Sequence, residues 1–322
     1  MKIAFFSTKS YDRDSFSRHG EKFGHEFSFF EAQLDHKTVL LAEGHHAICT
    51  FVNDRVDEFI LKKFTQLGVK LIALRCAGYN QVNLEAAERH GIKVVRVPAY
   101  SPEAVAEHAF AILLTLVRRT HKAFNRVREN NFSLEGLTGM NIYEKTIGVI
   151  GTGAIGKAFF RITRGFGAKI LAYDLNPSEE MKAIGVTYMS LREVFEKSQI
   201  ISLHCPLTPE TRHLINKDTL ALMQPGVTII NTSRGALIDT KSVIKALKSK
   251  KIGYLGIDVY EQEEHIFFKN LSDEILEDEQ ISRLMTFPNV LITGHQAFLT
   301  HEALTQIALT TLNNVSDFET GK

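Results

Sequence analysis

At 322 residues the chain is long enough for about two compact units, each able to bury its own core, and a single small module is excluded. Its 38 lysines and arginines against 37 aspartates and glutamates leave a formal net charge of +1, so no global field draws it to nucleic acid or a membrane, and a small-molecule partner is expected. Hydrophobic residues at 44% exclude a disordered chain, and three cysteines without CxxC spacing (Cys49, Cys76, Cys205) indicate neither a disulfide framework nor a metal site, so a reducing, cytoplasmic location is expected.

Short runs of β-branched and aromatic residues alternate with helical segments throughout, the pattern of an α/β fold in which crossover helices join parallel strands. The first run, residues 3–6, is too short for a signal-peptide core and reads as a strand. Strands are predicted at residues 2–6, 26–30, 47–52, 71–75 and 93–97, with a helix at 56–66 among them. Ser101 as N-cap and Pro102 at the first helical position open a long helix predicted from 103 to about 128. Its apolar part, residues 104–117, is interrupted by Glu107 and His108 and falls short of the roughly 18 residues of a membrane span.

A second series of strands is predicted at 146–150, 169–173, 200–204, 227–231, 254–258 and 290–293. Residues 261–279 form an acidic loop expected to be solvated surface, and Thr300 caps a last helix at 301–318 with Gly321 close behind. If that helix returns to the first sheet, residues 1–100 and 299–322 make one domain and 101–298 an inserted second one. The expected class is therefore two doubly wound parallel-sheet domains with a cleft between them.

Gly151, Gly153 and Gly156 form a GxGxxG turn directly after the predicted strand 146–150 and before a helix with an apolar face at Ile155, Ala158, Phe159, Ile162 and Phe166. In that context the turn reads as a pyrophosphate cradle at a helix N-terminus. Asp174 ends the next strand, 18 positions beyond Gly156, close to the offset of about 20 expected of a ribose-binding acid. Its carboxylate would repel a 2′-phosphate and no arginine follows in residues 175–177, so NAD is the expected cofactor.

Ligands of such sheets bind beyond the carboxyl ends of the strands. There lie residues 204–206, 232–235, 258–263 and 294–296, which gather an arginine, several acids and two histidines, His204 and His295, along one edge. Arginine offers a planar fork for a carboxylate, and histidine can deliver the proton that accompanies hydride transfer to a 2-keto acid. A carboxylate bonded to that histidine would favour its charged form.

Several stretches carry a likeness over essentially the whole chain: residues 75–80 (RCAGYN), 97–108 (VPAYSPEAVAEH), 231–235 (NTSRG), 258–261 (DVYE) and 293–298 (TGHQAF). With these the sequence resembles the D-specific 2-hydroxyacid dehydrogenases, most closely their fermentative, NAD-dependent bacterial branch. The resemblance implies a flavodoxin-like substrate domain and an inserted Rossmann domain. It implies that Arg234 binds and polarises the substrate, that His295 is the acid-base residue, and that Glu263 orients and charges it, with Glu261 and Glu264 as neighbouring acids that spacing does not separate from it. It further implies that Ala154 and Ile155 line the pyrophosphate, that Cys205, Pro206 and Thr211 flank the adenosine, and that Thr232 and Asp258 approach the nicotinamide.

In the first domain the resemblance assigns the substrate carboxylate to the amides of Gly78 and Tyr79, and the carbonyl side and C3 group to Tyr100 and Phe298, with Phe51 a further candidate. Bulky aromatics there leave room for a methyl group, which points to reduction of pyruvate to D-lactate in fermentation. A broader D-2-hydroxyacid dehydrogenase, or a non-catalytic NAD-sensing module of the corepressor kind, are the alternatives. The likeness also implies a homo-oligomer, a dimer or tetramer; a regulatory module of the kind some relatives carry is not expected, as no further sequence follows the last helix.

Overall fold

The computed structural model describes residues 1–322 apart from the side chain of residue 265. It divides into two compact units, Met1–Ser101 with Phe298–Lys322, and Pro102–Ala297. In the first, strands β1 (Lys2–Phe5), β2 (Glu26–Phe29), β3 (Ala47–Thr50), β4 (Leu71–Leu74) and β5 (Lys93–Arg96) form a sheet in the order β2-β1-β3-β4-β5, parallel throughout. β3 and β4 are buried at every position, as a parallel strand covered on both faces must be, whereas the edge strands β2 and β5 have no buried residue. The order is the flavodoxin-like one, reversing between β1 and β3.

Helices cover this sheet because their sequences supply one apolar face and both end signals. In Glu58–Leu67 the Asp57 side chain accepts from the Ile60 amide, Ile60, Leu61 and Phe64 are buried, and Gly68 ends the helix in the left-handed conformation. The last helix, His301–Thr320, is capped by Thr300, closed by left-handed Gly321, and packs on helix Ser10–Gly20 and on β4 and β5. The chain's end therefore completes the first unit.

The second unit holds β6 (Thr146–Ile150), β7 (Lys169–Tyr173), β8 (Thr187–Tyr188), β9 (Ile200–Leu203), β10 (Val227–Asn231), β11 (Ile252–Ile257) and β12 (Val290–Ile292). Their order is β12-β11-β10-β9-β6-β7-β8, again all parallel, with the reversal between β6 and β9. Alternate residues feed a core on each face: Ile147, Val149, Ile200 and Ile230 on one, Ile201, Leu203, Ile229 and Leu255 on the other.

Three expectations differ from the structure. The helix predicted from 103 to 128 is two helices, Pro102–Arg118 and Thr120–Arg128, separated by Arg119 at φ 52°. The first buries nine residues and the second none, so the burial that holds the axis straight stops at Val117, whose carbonyl accepts from the Met140 amide, while Arg119 donates to Gly136 O and Tyr254 Oη. The larger sheet has a seventh strand, β8, too short to show a period. Finally, the acidic loop is only partly solvated: Glu261 is held by His213 and Thr240, Glu263 by Tyr260 and His295, and Asp278 caps helix Glu279–Met285 while accepting from Tyr260 Oη.

Candidate active site

The switch point between β6 and β9 is where this topology opens a crevice, and the glycine-rich turn sits there. Gly151 has φ 92°, and a Cβ on it would lie 2.6 Å from the Cys205 amide nitrogen, so the turn after β6 presses on the turn after β9. A Cβ on Gly156 would meet Gly151 O at 2.1 Å, which fixes helix Ala154–Gly165 tightly against the strand. At Gly153, the residue preceding that helix, a Cβ would meet nothing within 4 Å, and no side chain caps the helix. Gly153 and Ala154 are exposed and Ile155 half-buried, leaving uncapped amides on an open face, which suits a pyrophosphate.

Asp174, just past β7, is half-buried. Its Oδ2 accepts from the Thr152 amide at 2.6 Å and hydroxyl at 2.9 Å, and Oδ1 from the Asn176 amide at 2.9 Å. Burial alone would raise its pKa; these hydrogen bonds outweigh that and hold it below the ordinary value, so the carboxylate is charged at neutral pH. Thr152 and its other partner, Tyr188 of β8, were not identified from the sequence, because neither spacing nor periodicity marks them.

Beyond β9, Cys205 is buried in the core with its thiol pushed up to about 11 by burial, so only its backbone faces the turn; Pro206 is exposed and accepts through its carbonyl from Thr211 Oγ1 at 2.8 Å. Beyond β10, Thr232 is buried and its hydroxyl has no partner. An open cradle, a charged acid at the ribose position and an orphaned hydroxyl at the next strand end together fit a dinucleotide.

Arg234, Glu263 and His295 follow β10, β11 and β12, which are neighbours in the sheet. Arg234 is half-buried and donates from Nη1 to Ser233 O at 2.7 Å, leaving the rest of its fork free of that bond. The next residue, Gly235, lies so close to the turn after β11 that a Cβ there would fall 2.1 Å from Tyr260 C and O. Tyr260 in turn donates its amide to Glu263 Oε2 at 2.8 Å, and Glu263 Oε1 lies 2.8 Å from His295 Nδ1. Of the three neighbouring acids it is thus Glu263 that meets the imidazole; Glu261 is engaged by His213, and Glu264 is exposed.

His295 sits at φ 55°, a left-handed conformation costly for most residues, held by its amide donating to Asp258 O at 2.7 Å; the Phe268 ring lies 5.7 Å from the imidazole. Asp258 is turned inward rather than toward open space. Its fully buried carboxylate accepts from Thr293 Oγ1 at 2.5 Å and from the amides of Gln296 and Ala297, and lies 3.3 Å from His108 Nε2. Those bonds hold its pKa below the ordinary carboxylate value despite burial, and they shape the loop that carries His295.

In the first unit, Gly78 and Tyr79 follow β4, Gly78 O accepting from Cys76 Sγ at 3.2 Å and Tyr79, 45% exposed, lying under the Arg96 guanidinium. Phe298 is buried with the rings of Phe51, Tyr100 and Tyr11 at 5.7, 6.4 and 6.3 Å. Tyr11 was missed in the sequence; burial pushes its phenol up to about 12. Arg75, fully buried, bonds Asp12 and the carbonyls of Phe6 and Ser7, fixing the ends of β1 and β4.

A parallel sheet with a phosphate cradle at its switch point and arginine, glutamate and histidine at three neighbouring strand ends defines a nicotinamide-dependent oxidoreductase. Residues 110–297 match the family described as D-isomer specific 2-hydroxyacid dehydrogenase, NAD binding domain. The D-lactate dehydrogenase of Escherichia coli is 53% identical over 322 residues, covering 100% of this chain and 98% of that one, and its apo structure superposes with a TM-score of 0.92 at 52% identity, covering 100% and 98%. A D-lactate dehydrogenase from Aquifex aeolicus, solved with NAD and lactic acid, is similar at 35% identity and a TM-score of 0.88, covering 99% and 96%. The chain belongs to the D-isomer specific 2-hydroxyacid dehydrogenases.

Proposed function

We propose that this protein is a D-lactate dehydrogenase that reduces pyruvate to D-lactate with NADH, reversibly, in fermentation. The observation that carries the reading is the His295 Nδ1 to Glu263 Oε1 contact of 2.8 Å, on a chain similar along its length to D-lactate dehydrogenases. A carboxylate accepts, so Nδ1 carries the hydrogen and Nε2 remains to pass a proton to the substrate's carbonyl oxygen. Arg234 takes the substrate's carboxylate and polarises its carbonyl. When bound, the nicotinamide supplies the hydride to the carbonyl carbon. In the opposite direction the neutral imidazole accepts the hydroxyl proton.

We assign the pyrophosphate to Gly151, Gly153, Ala154, Ile155 and Gly156, the ribose to Asp174, the adenosine side to Cys205, Pro206 and Thr211, and the nicotinamide side to Thr232, with Asp258 acting through the loop it holds. To the unit made of residues 1–101 and 298–322 we assign substrate binding, by Gly78, Tyr79, Tyr100 and Phe298. The aromatic cluster around Phe298 favours a methyl at C3 over a longer side chain. Three buried cysteines without CxxC spacing support a cytoplasmic location, and the exposed Phe124, Val127, Phe132, Leu134 and Tyr143 support a homo-oligomer. No helix is long and apolar enough to cross a membrane among the described residues. Incubation with pyruvate and NADH, followed by resolution of the product enantiomers, tests the reading: D-lactate is expected, and L-lactate or no turnover overturns it.

A further inference from the structure

Asp174 can discriminate between a ribose hydroxyl and a 2′-phosphate only if its carboxylate stays in place when the phosphate arrives. The groups that hold it form a directional chain. The Ser178 amide donates to Tyr188 Oη at 3.2 Å, the Tyr188 hydroxyl donates to Thr152 Oγ1 at 2.9 Å, and the Thr152 hydroxyl donates to Asp174 Oδ2 at 2.9 Å. Each hydroxyl has one proton, and in this arrangement both are committed toward the anion, so each bond polarises the next.

The fold explains why Tyr188 is available. Strand β8 consists of two residues, and its register pairs Tyr188 with Ala172 of β7, two positions before Asp174. So short an edge strand adds little to the sheet, yet it sets a phenol beside the end of β7 where the ribose acid begins. Without that phenol the Thr152 hydroxyl loses the donor that fixes its direction, so its bond to Asp174 is no longer held in one orientation and the fixed contacts are backbone amides such as those of Thr152 and Asn176.

We propose that Tyr188, acting through the Thr152 hydroxyl, is a specificity-determining positioning residue that locks the Asp174 carboxylate and so makes the site refuse NADPH. The inference rests on Asp174 being the ribose-binding acid. It concerns the binding of the cofactor, not the chemical step, so binding is the readout.

The test titrates NADH and NADPH into the full-length protein by the fluorescence of the reduced nicotinamide, which the chain's lack of tryptophan leaves without an overlapping donor. Asp174→Ala, Tyr188→Phe, Thr152→Val, Thr152→Ser and the Tyr188→Phe/Thr152→Val pair are compared with wild type, and thermal unfolding of each checks that it is folded. Asp174→Ala relaxes the ratio of the two Kd values. Tyr188→Phe and Thr152→Val each relax it by about 3- to 10-fold, the worth of one hydrogen bond. Thr152→Ser keeps the wild-type ratio, and the pair does no more than either single change because both break the same chain. An unchanged ratio in Asp174→Ala overturns the reading of Asp174 and the relay with it. A relaxed ratio in Asp174→Ala with an unchanged one in Tyr188→Phe, or fully additive effects in the pair, overturns the relay alone.

Discussion

Glu263 offers its two oxygens to two different donors, the Tyr260 amide at 2.8 Å and His295 Nδ1 at 2.8 Å, and this makes the carboxylate irreplaceable by its amide. In Glu263→Gln one oxygen becomes an NH2 group: turned to Tyr260 it sets a donor against the backbone amide, and turned to His295 it selects the tautomer with the hydrogen on Nε2, and either way the imidazolium loses its anionic partner. Losing that partner or leaving the Tyr260 amide unsatisfied costs about 1–3 kcal/mol, so kcat/KM for pyruvate reduction should fall about 10- to 100-fold while the Kd for NADH, whose contacts we assign to other residues, stays within twofold. Steady-state kinetics and NADH titration measure both; a normal rate would remove the pair from the mechanism. The choice of Glu263 over its neighbours was not fixed by spacing. Three glutamates stand within four positions, and the separation appears only when Glu261 turns to His213 and Thr240 and Glu263 turns to His295.

Among the elements, the strands were legible and the contacts between their ends were not. Apolar runs mark β3, β4, β9 and β10 because parallel strands buried on both faces admit few polar positions, here Thr50, Ser202, Thr228 and Asn231, whereas β8 has two residues and no period to read. The break at Arg119 was likewise hidden, since no glycine or proline marks it and the loss of burial after Val117 is not visible in the sequence. The meeting of the turns after β6 and β9 gives a prediction. His204 lies in the second turn, with Nε2 2.8 Å from Ser202 Oγ, its ring 4.8 Å from that of Phe159, and Nδ1 buried without a partner. Burial lowers its pKa to about 3, so the ring is neutral in the folded protein. Below the unfolded value of about 6.5 the unfolded chain binds a proton that the folded chain refuses, so stability falls as pH falls through that window, by up to about 2 kcal/mol at pH 5. Urea unfolding at pH 7.5 and 5 should show His204→Gln losing less stability on acidification than wild type; equal losses would exclude this histidine as the acid-sensitive group.

For the molecule as a whole, near-neutral charge and ordinary composition carry no information about its own assembly, which is argued from the surface. Between residues 120 and 145 the second unit carries helix Thr120–Arg128, which buries nothing, and five large apolar side chains: Phe124, Val127, Phe132, Leu134 and Tyr143 are 61, 50, 70, 81 and 65% exposed. Fully covering one such side chain is worth about 1.5–3 kcal/mol, so leaving five in water within one short segment is a standing cost that a second copy of the chain would remove. The sequence shows the residues but not their exposure, because Phe124 and Val127 fit a helix face that the prediction of one unbroken helix would have buried. Light scattering at micromolar concentration should therefore give a mass of at least two chains. The variant Phe132→Ser/Leu134→Ser should dissociate at about tenfold or more higher concentration than wild type, since losing roughly 1.4 kcal/mol of apolar burial is enough for that. A wild-type monomer, or a variant that assembles as tightly as wild type, would show that the segment faces water for another reason.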